Sequence, residues 1–374
     1  MGLRILVVPD KFKGTLTAQA AAAAIADGWR RTRPSDVVEL QPMSDGGDGF
    51  GEIVSRAMGA KPRVVATVDA AHRPRRATWW WHAASHTAII ESANSIGLAL
   101  LPTGNYHPFA LDTFGLGAVV LAAARQGAER CLVGLGGSAT NDAGFGLARA
   151  LGWRFWDENG GPIERWTQLA GLTRVQSPKK RRPFPKLVGA VDVKNPLLGV
   201  RGASRIYGPQ KGLQPNEITV AERHLRRLVR VSDPRQNYAK TPGAGAAGGL
   251  GFGLLRFLGA RLEPGFDLFL RHTRLRERLK GVDLVITGEG SLDRSSFMGK
   301  GVGEIARLCR QMRLPCIGLA GVVPEPEVGR RWLNYAAGIT PTLTSPEHAK
   351  AAPDEWLSRL AERAATAWDS GAES

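Results

Sequence analysis

The amino-acid sequence predicts an α/β protein of two domains, in which a Rossmann/flavodoxin-like parallel-sheet domain formed by both chain ends carries an inserted mixed α/β domain. Two β-α-β patterns, one near each end of the chain, favour a parallel sheet covered by helices. The stretch between them is rich in closely spaced β-forming residues, which predicts antiparallel pairs. A polar turn at residues 69–76 separates the first two strands of this stretch.

The first β-α-β pattern begins close to the start of the chain. Residues 4–8 are apolar and β-branched, and an alanine-rich helix is predicted over residues 18–31 because Pro34 cannot continue it. Residues 37–40 form the next predicted strand. In the middle stretch, the predicted strands are residues 64–68, 77–81, where three consecutive tryptophans should pack, and 88–91.

The second β-α-β pattern lies in the last quarter of the chain. A strand at residues 283–287 precedes a helix at 301–313, and residues 315–320 form another buried strand. A final helix is predicted from about Pro353, because apolar residues then recur at helical spacing. The predicted boundaries give one domain of residues 1–63 and 281–374 and an inserted domain of residues 64–280.

The composition is that of an ordinary folded chain. Of its 374 residues, 43% are hydrophobic and 22% are charged, which is typical of globular proteins and unlike disordered ones. No apolar run reaches the roughly 18 residues that span a bilayer, and the first ten residues read as a strand, not as a signal peptide. Cys131, Cys309 and Cys316 show no paired spacing. We therefore expect free thiols and a cytoplasmic protein with no membrane partner.

The net charge of +16 is the unusual bulk property of the chain. A basic surface concentrates anions, which include both nucleic acids and phosphorylated metabolites. The excess is scattered arginine, apart from a basic run at residues 179–182 that lies close to prolines and reads as a solvated loop. Because no zinc-finger spacing, RNA-recognition signature or basic region before heptads accompanies the charge, we expect no nucleic-acid partner.

Four loops rich in glycine and acidic residues are candidates for chemistry, and each is predicted at the end of a strand. Open α/β sheets bind ligands at the carboxyl ends of their strands. The first loop is Pro-Asp-Lys-Phe-Lys-Gly-Thr at residues 9–15, and the second is Ser-Asp-Gly-Gly-Asp-Gly at residues 44–49. The third loop is Gly-Leu-Gly-Gly-Ser-Ala-Thr-Asn-Asp at residues 134–142, and the fourth is Thr-Gly-Glu-Gly-Ser-Leu-Asp at residues 287–293.

The third loop has the features of a phosphate site. Gly136 and Gly137 would let the backbone approach an anion closely, while Ser138, Thr140 and Asn141 add side-chain donors before a predicted helix. The alternative is a tight turn in which Asn or Asp caps that helix. The loop is not a Walker A motif, because Gly-x-x-x-x-Gly-Lys-Ser/Thr occurs nowhere in the chain.

Carboxylates and lysines accompany these glycines. Acidic side chains of the second and fourth loops suit Mg²⁺, which takes few protein carboxylates and keeps several waters. Each one taken alone is equally explained as an exposed turn residue. Lys13, Lys211 and Lys300 lie in or beside such loops, where a lysine either neutralises charge during phosphoryl transfer or is simply solvated.

A further segment at residues 242–253 is too rich in glycine for an ordinary helix. Its glycines alternate with Ala, Leu and Phe, which predicts a backbone that packs very closely against another element or a ligand. A flexible linker is the alternative interpretation.

Together these segments resemble the bacterial glycerate kinase family. The family's Pro-Asp-Ser-Phe-Lys-Gly is similar to residues 9–14, with Lys11 in place of serine, and its Asp-Gly-Gly-Glu-Gly is similar to residues 45–49, with Asp48 in place of glutamate. The third loop matches the family at every position. Further matches in family order are Asp-Val-x-Asn-Pro-Leu at residues 192–197, Gly-Pro-Gln-Lys-Gly at 208–212, the glycine-rich run at 243–251 and Ile-Thr-Gly-Glu-Gly-x-Leu-Asp at 286–293.

The resemblance implies ATP-dependent phosphorylation of D-glycerate, at the 2-hydroxyl to give 2-phosphoglycerate, with an active site in the cleft between two domains. In that reading, the third loop holds the ATP phosphates. Asp45 and Glu289 help to hold Mg²⁺. Lys13 or Lys211 faces the substrate carboxylate or the transferred phosphoryl group.

A general base and two rival functions complete the expectations. Asp192 is the first candidate for the group that accepts the hydroxyl proton, and Asp293 is the second. One rival is a nicotinamide-dependent hydroxy-acid oxidoreductase, although no GxGxxG with a following acidic residue comes after the first strand. The other rival is a non-catalytic anion-binding protein, which fits the charge but not the acids among the glycines. The residues alone leave the oligomeric state open.

Overall fold

The chain folds as two compact units in a computed structural model that describes residues 2–179, 182–299 and 301–369. The terminal unit comprises Met1–Asp45 with Phe269–Ser374, and the inserted unit comprises Gly46–Leu268. The first boundary therefore falls within the second loop instead of at residues 63/64, and the second falls at 268/269 instead of 280/281. Lys300 and the middle of the basic run at 179–182 lie outside the described residues. No helix of the described ranges is long and apolar enough to cross a membrane.

The strands of the described chain include each of the predicted β-rich segments, together with strands at residues 154–156, 174–176, 186–191, 261–264 and 335–340 that were not predicted. In chain order they are β1 (Arg4–Pro9), β2 (Val37–Leu40), β3 (Lys61–Val68), β4 (Pro74–His82), β5 (Thr87–Glu91), β6 (Arg130–Gly134), β7 (Arg154–Trp156), β8 (Arg174–Gln176), β9 (Lys186–Val191), β10 (Arg261–Pro264), β11 (Leu284–Ser291), β12 (Cys316–Val322) and β13 (Tyr335–Thr340).

The helices connect these strands and cover the sheets. In chain order they are α1 (Ala18–Thr32), α2 (Phe50–Met58), α3 (Ala93–Ile96), α4 (Leu116–Arg125), α5 (Phe145–Ala150), α6 (Ala203–Tyr207), α7 (Pro215–Ser232), α8 (Ala246–Gly253), α9 (Gly265–His272), α10 (Leu275–Leu279), α11 (Gly301–Met312), α12 (Pro326–Trp332), α13 (Pro346–Ala351) and α14 (Pro353–Asp369).

The terminal unit is a five-stranded sheet in the order β13-β12-β11-β1-β2, and every neighbouring pair is parallel. The predicted parallel sheet built from both chain ends is thereby confirmed. Its core joins Ile5, Val7 and Ile286 of the strands to the alanine-rich face of α1 and to α14. Thr17 begins α1 by accepting a hydrogen bond from the Ala20 N–H at 3.1 Å, which satisfies one of the unpaired donors of its first turn.

The first loop, the start of the second loop and the fourth loop lie at one edge of this sheet, because β1, β2 and β11 are adjacent and parallel. The Asp10 N–H donates to the Gly288 carbonyl at 2.8 Å, and the Met43 N–H donates to the Pro9 carbonyl at 2.9 Å, so both loops stay in register with the strands. The fourth loop differs from its prediction. Most of it is strand, because β11 stays paired with β12 as far as Ser291 opposite Val322.

The inserted unit contains a six-stranded sheet in the order β10-β9-β6-β5-β4-β3. β3, β4 and β5 pair antiparallel, as predicted, whereas β5, β6, β9 and β10 run parallel. Trp79 and Trp81 point into the core at 3% and 8% exposure, so the predicted strand packing of the tryptophan run is confirmed. A separate hairpin joins β7 to β8. All three cysteines of the chain are buried, free thiols, as expected.

The glycine-rich segment packs directly on the third loop. A Cβ atom on Gly248 would lie 1.8 Å from the Thr140 carbonyl oxygen, and the Ala143 N–H donates to the Gly248 carbonyl at 3.1 Å. Within α8, Ala247, Gly248 and Gly249 adopt left-handed backbone conformations that let the chain turn against this neighbour. The predicted close backbone packing is confirmed, and the interpretation as a flexible linker is wrong.

We expect Gly248→Ala to destabilise the protein strongly, because the added methyl group would overlap a backbone oxygen that cannot move independently. Gly104→Ala is the matched control, since Gly104 has a similar φ of +76° but no described atom within 4 Å of the added Cβ. Scanning calorimetry should show that Gly248→Ala costs about 1–3 kcal/mol more than the control. Equal losses would mean that backbone conformation alone demands the glycine.

Candidate functional site

The third loop lies at the carboxyl edge of the inserted sheet, between the ends of its neighbouring parallel strands. It follows β6, while Glu91 ends β5 on one side and Asp192 follows β9 on the other. The Leu135 N–H donates to the Ala190 carbonyl at 3.1 Å, and the Ala139 N–H donates to the Ile96 carbonyl at 2.9 Å. These bonds fix the loop at both sides.

The inserted-unit part of the second loop lies against the third loop. A Cβ atom on Gly136 would sit 2.5 Å from the Gly47 carbonyl carbon, so only glycine permits this approach. The Glu91 carboxylate holds the same region by accepting hydrogen bonds from the Gly49 N–H at 2.7 Å and the Gly51 N–H at 3.1 Å. The glycine pattern of both loops thus reflects packing of one backbone on another.

Three successive backbone donors of the third loop are not used by the protein itself. The N–H groups of Gly136, Gly137 and Ser138 donate to no acceptor among the described residues. Successive N–H groups in such a turn form an anion-binding concavity. The predicted helix begins only at Phe145 and has six residues, so the backbone donors, not a helix N-terminus, are what the loop offers to an anion.

Lys211 is buried beneath the third loop. Its ammonium group donates to the Thr140 carbonyl at 2.6 Å and to the Ser138 hydroxyl at 3.1 Å, and the residue is 7% exposed. Burial lowers the pKa of Lys211 to about 7, and the nearby Asp142 carboxylate opposes this shift. Sequence reasoning identified Lys211 as a charge-neutralising lysine but did not predict that it is enclosed.

Asp142, the last residue of the third loop, is fully buried, and its hydrogen bonds fix the end of the loop. Its carboxylate accepts hydrogen bonds from the Thr113 N–H at 3.0 Å, the Thr113 hydroxyl at 2.7 Å and the Gly146 N–H at 2.8 Å. Burial and the neighbouring Asp112 carboxylate raise the pKa of Asp142 to about 6, against the effect of these bonds. The sequence motif contained Asp142, yet no role was predicted for it.

Two oxygens of the predicted donor side chains remain without hydrogen bonds. The Thr140 hydroxyl and the Asn141 carbonyl oxygen are buried and have no partner among the described residues. The Asn141 amide group donates to the Ser204 hydroxyl at 2.9 Å. Because an unpaired buried polar atom costs free energy, these two oxygens are candidates for contacts to a ligand or to water.

Asp192 directly follows β9 and is exposed. A side chain that contacts a substrate must be accessible on at least one side. Its carboxylate acts on Tyr207, since burial and the Asp192 charge together raise the pKa of Tyr207 to about 12. The Tyr207 hydroxyl donates to the Asn195 side-chain oxygen at 2.8 Å, and the Asn195 amide donates to the Arg201 carbonyl at 2.8 Å. This chain of bonds holds the segment that carries Asp192.

The terminal unit gathers acidic side chains at its sheet edge. Asp10 follows β1, and burial together with the Asp45 carboxylate raises the pKa of Asp10 to about 7, with a smaller contribution from Glu289. The Lys11 N–H donates to the Asp10 carboxylate at 2.7 Å and acts in the opposite direction. Sequence reasoning missed Asp10, although its position after the first strand, beside the lysines of the first loop, was a usable signal.

These carboxylates concentrate negative charge but do not form a complete ligand cage. Within residues 2–179, 182–299 and 301–369, no three His, Cys, Asp or Glu side chains are arranged to hold a metal ion by themselves. Burial and the neighbouring Asp45 and Glu289 carboxylates raise the pKa of Asp10, and a divalent cation would offset the repulsion between these carboxylates. The donor set therefore fits Mg²⁺, which binds proteins through one or two carboxylates and otherwise through waters and phosphates.

Asp293 and Lys13 also lie in the terminal unit. The Asp293 carboxylate accepts a hydrogen bond from the Ser295 N–H at 2.7 Å, and the Asp293 N–H donates to the Ser296 hydroxyl at 3.1 Å. Asp293 thus caps the short 3-10 turn at Arg294–Phe297. Lys13 is exposed in the first loop. The terminal unit therefore carries Asp45, Glu289, Asp293 and Lys13, and the inserted unit carries the other predicted site residues.

Known proteins that resemble this chain do so over nearly its whole length. The profile of the glycerate kinase family matches residues 5–369. A Halalkalibacterium halodurans protein named glycerate kinase is 36% identical over 364 residues, which cover 96% of each chain. An Escherichia coli protein named glycerate 2-kinase is 35% identical over 351 residues, covering 92% of this chain and 91% of its own. A Salmonella typhimurium LT2 crystal structure, provisionally named glycerate kinase 2, has a TM-score of 0.81 at 30% identity and covers 99% of both chains.

The buried Lys211 predicts a pH-dependent stability. Its pKa falls from 10.5 when unfolded to about 7 when folded, so between these values the unfolded state holds a proton that the folded state has released. Stability therefore rises with pH across this window, by up to about 1.4 kcal/mol per pH unit from this group. Lys211→Met lacks this gain. Between pH 7 and 9.5, the melting temperature of the wild type should rise relative to that of Lys211→Met. If the two melting temperatures change with pH in the same way, the Lys211 amine does not have the lowered pKa that its burial implies.

Proposed function

Because the chain belongs to the glycerate kinase family, we propose that it transfers the γ-phosphoryl group of ATP to the 2-hydroxyl of D-glycerate, giving 2-phosphoglycerate and ADP. The observation that carries the proposal is the third loop, where three unused backbone N–H groups adjoin a buried lysine. Such a loop suits the charged oxygens of a phosphate group. The many matching motifs of the family include this loop without a single change.

In the proposed reaction, the third loop binds phosphate. The N–H groups of Gly136 and Gly137 and the hydroxyl of Ser138 donate to phosphate oxygens, and the unpaired Thr140 hydroxyl is a further donor. Lys211 already donates to Ser138, so it orients that hydroxyl and adds positive charge beneath the loop. Phosphoryl transfer depends mainly on such positioning and neutralisation of charge.

We propose that Asp45 and Glu289, joined by Asp10, would hold Mg²⁺ in the terminal unit. The support for this assignment is the burial of Asp10 and the nearby carboxylates of Asp45 and Glu289, which together raise the pKa of Asp10. Bound Mg²⁺ would neutralise part of the charge on the ATP phosphates. Lys13, exposed in the adjoining first loop, would be available to the substrate carboxylate or the transferred phosphoryl group.

Asp192 is the proposed acceptor of the glycerate hydroxyl proton. It is exposed, it follows β9 directly, and its segment is held by the Tyr207–Asn195 hydrogen bond. Asp293 suits this role less well, because its carboxylate is engaged in capping a turn. In this role the carboxylate acts mainly by orienting the hydroxyl, and takes the proton as the transfer proceeds.

The activity is tested by incubating the protein with ATP, Mg²⁺ and D-glycerate and identifying the product by phosphorus NMR. We expect ATP consumption to require D-glycerate and the product to be 2-phosphoglycerate. A 3-phosphoglycerate signal would retain the kinase and correct the position of transfer. Reduction of NAD⁺ by a hydroxy acid without ATP consumption would support the oxidoreductase instead, and binding without any turnover would support the non-catalytic protein.

Asp192→Asn tests the proposed base, because it keeps size and hydrogen bonding while removing the carboxylate. We expect kcat to fall about 10²-fold or more with ATP binding retained. Asp157→Asn is the matched control, since Asp157 caps a turn in the same unit by accepting hydrogen bonds from the Asn159 and Gly161 N–H groups.

Steady-state kinetics and melting temperatures separate the outcomes of this substitution. The control should lose some stability and keep its kcat. If Asp192→Asn behaves in the same way as the control, the carboxylate is structural, and Asp293→Asn becomes the next variant to measure.

A further inference from the structure

A basic cavity of about 510 Å³ lies in the inserted unit, apart from the third loop. One wall is the second half of helix α7, from which Arg226, Val229 and Arg230 face the cavity. The opposite walls are the segment that follows β9, at Leu198, and the segment that follows α7, at Lys240. The volume lies in the range of small-molecule sites.

The lining combines positive charge with an apolar floor. Arg226, Arg230 and Lys240 contribute three cations, and no acidic side chain is among the described residues that line the cavity. Arg226 and Arg230 are four residues apart on α7 and therefore project from the same face of the helix. Leu198 and Val229 supply the apolar surface between the charges. The negative end of the helix dipole also lies near Arg230, so the arginine side chain, not the backbone, must attract an anion.

We propose that this cavity binds a small phosphorylated carboxylic acid as a regulatory ligand. A phosphate group carries nearly two negative charges at neutral pH, and a carboxylate adds a third, so such a ligand suits a lining of three cations, of which Arg226 is shared with Glu222. Arginine forms paired hydrogen bonds with planar or tetrahedral oxyanions. The carbon chain of the ligand would lie on Leu198 and Val229.

The cavity is linked to the segment of Asp192 through Glu222. The buried Glu222 carboxylate accepts a hydrogen bond from the Gly199 N–H at 2.6 Å, and it forms ion pairs with Arg226 at 3.7 Å and Arg205 at 3.3 Å. Gly199 ends the segment that begins at Asp192. Glu222 therefore joins one cation of the cavity to the segment that carries the proposed base.

A bound anion would compete with Glu222 for Arg226. Without Arg226, the Glu222 carboxylate keeps one fewer ion pair to fix its orientation towards Gly199, and the segment from Asp192 to Gly199 becomes less firmly held. The ligand should therefore lower kcat without competing with ATP or glycerate. This kinetic effect rests on the proposed function, whereas binding to the cavity does not.

Binding is tested by isothermal titration calorimetry with 3-phosphoglycerate and with inorganic phosphate, in the presence of saturating ADP, Mg²⁺ and D-glycerate. The test variant is Arg230→Gln with Lys240→Gln, which removes two cations of the cavity. The matched control is Arg223→Gln with Lys350→Gln, two exposed residues that do not line the cavity. We expect the test variant to bind 3-phosphoglycerate about tenfold or more weakly, as for lost charged hydrogen bonds, and the control to match wild type.

The affinities for the two ligands show which groups of the ligand the cavity recognises. Weaker binding of inorganic phosphate than of 3-phosphoglycerate supports recognition of the carboxylate as well. Equal affinity of wild type, control and test variant for 3-phosphoglycerate would overturn the proposal, whatever the activity of the enzyme. If the double variant does not fold, Lys240→Glu alone must show the same loss.

The regulatory effect is measured by steady-state kinetics with 3-phosphoglycerate as the added compound. A lowered kcat with unchanged KM values, absent in the test variant, is the expected result. Inhibition that is competitive with glycerate and persists in the test variant would place the ligand at the substrate site and overturn the regulatory role. If the protein shows no kinase activity, the calorimetric comparison still decides whether the cavity binds.

Discussion

The burial of the Lys211 ammonium group beneath the third loop is the interaction on which the inserted unit's site depends. Removing an ammonium group from water is costly unless nearby groups replace its hydration. The Thr140 carbonyl and Ser138 hydroxyl do so directly, and the buried Asp142 carboxylate supplies opposite charge. Asp142 in turn is held by Thr113 and by the backbone that begins α5. The loop keeps its shape because each of these buried polar groups is satisfied by a hydrogen bond or an opposite charge from another group of the set.

Close contact between backbones explains why the chain contains so much glycine near this lysine. The third loop lies between the second loop and the glycine-rich segment, each near enough to exclude a side chain at Gly136 or Gly248. A backbone packed on both sides cannot rearrange easily, so its free N–H groups point in fixed directions. Electrostatic stabilisation of a phosphoryl group needs such preorganised donors. In the proposed function, the glycines therefore contribute to phosphate binding as well as to the fold.

Local patterns predicted most elements near the two chain ends and fewer of those in the inserted unit, and they did not predict contacts between distant segments. The helix α1 and the strands around it follow from apolar periodicity and from Pro34, which act within a few residues. The burial of Lys211 could not be predicted, because it arises where residue 211 meets residue 140 across the unit. The raised pKa of Asp10 depends on its burial and on Asp45 and Glu289, which are distant from it in sequence. The fourth loop was predicted wrongly because pairing with β12 extends β11 through two glycines.

The position of β1 has a consequence for how the protein is made. β1 is an inner strand, with β2 on one side and β11 on the other, and Ile5 pairs with Leu284. During synthesis, β1 therefore leaves the ribosome long before β11 has been made. Until then, one edge of β1 lacks its pairing partner, and part of its apolar surface stays uncovered. The inserted unit is continuous in sequence and has no such delay, so it can complete its core first. The sheet of the terminal unit forms only when the two chain ends meet, which closes a loop that contains the whole inserted unit. We therefore expect the terminal unit to fold more slowly than the inserted unit.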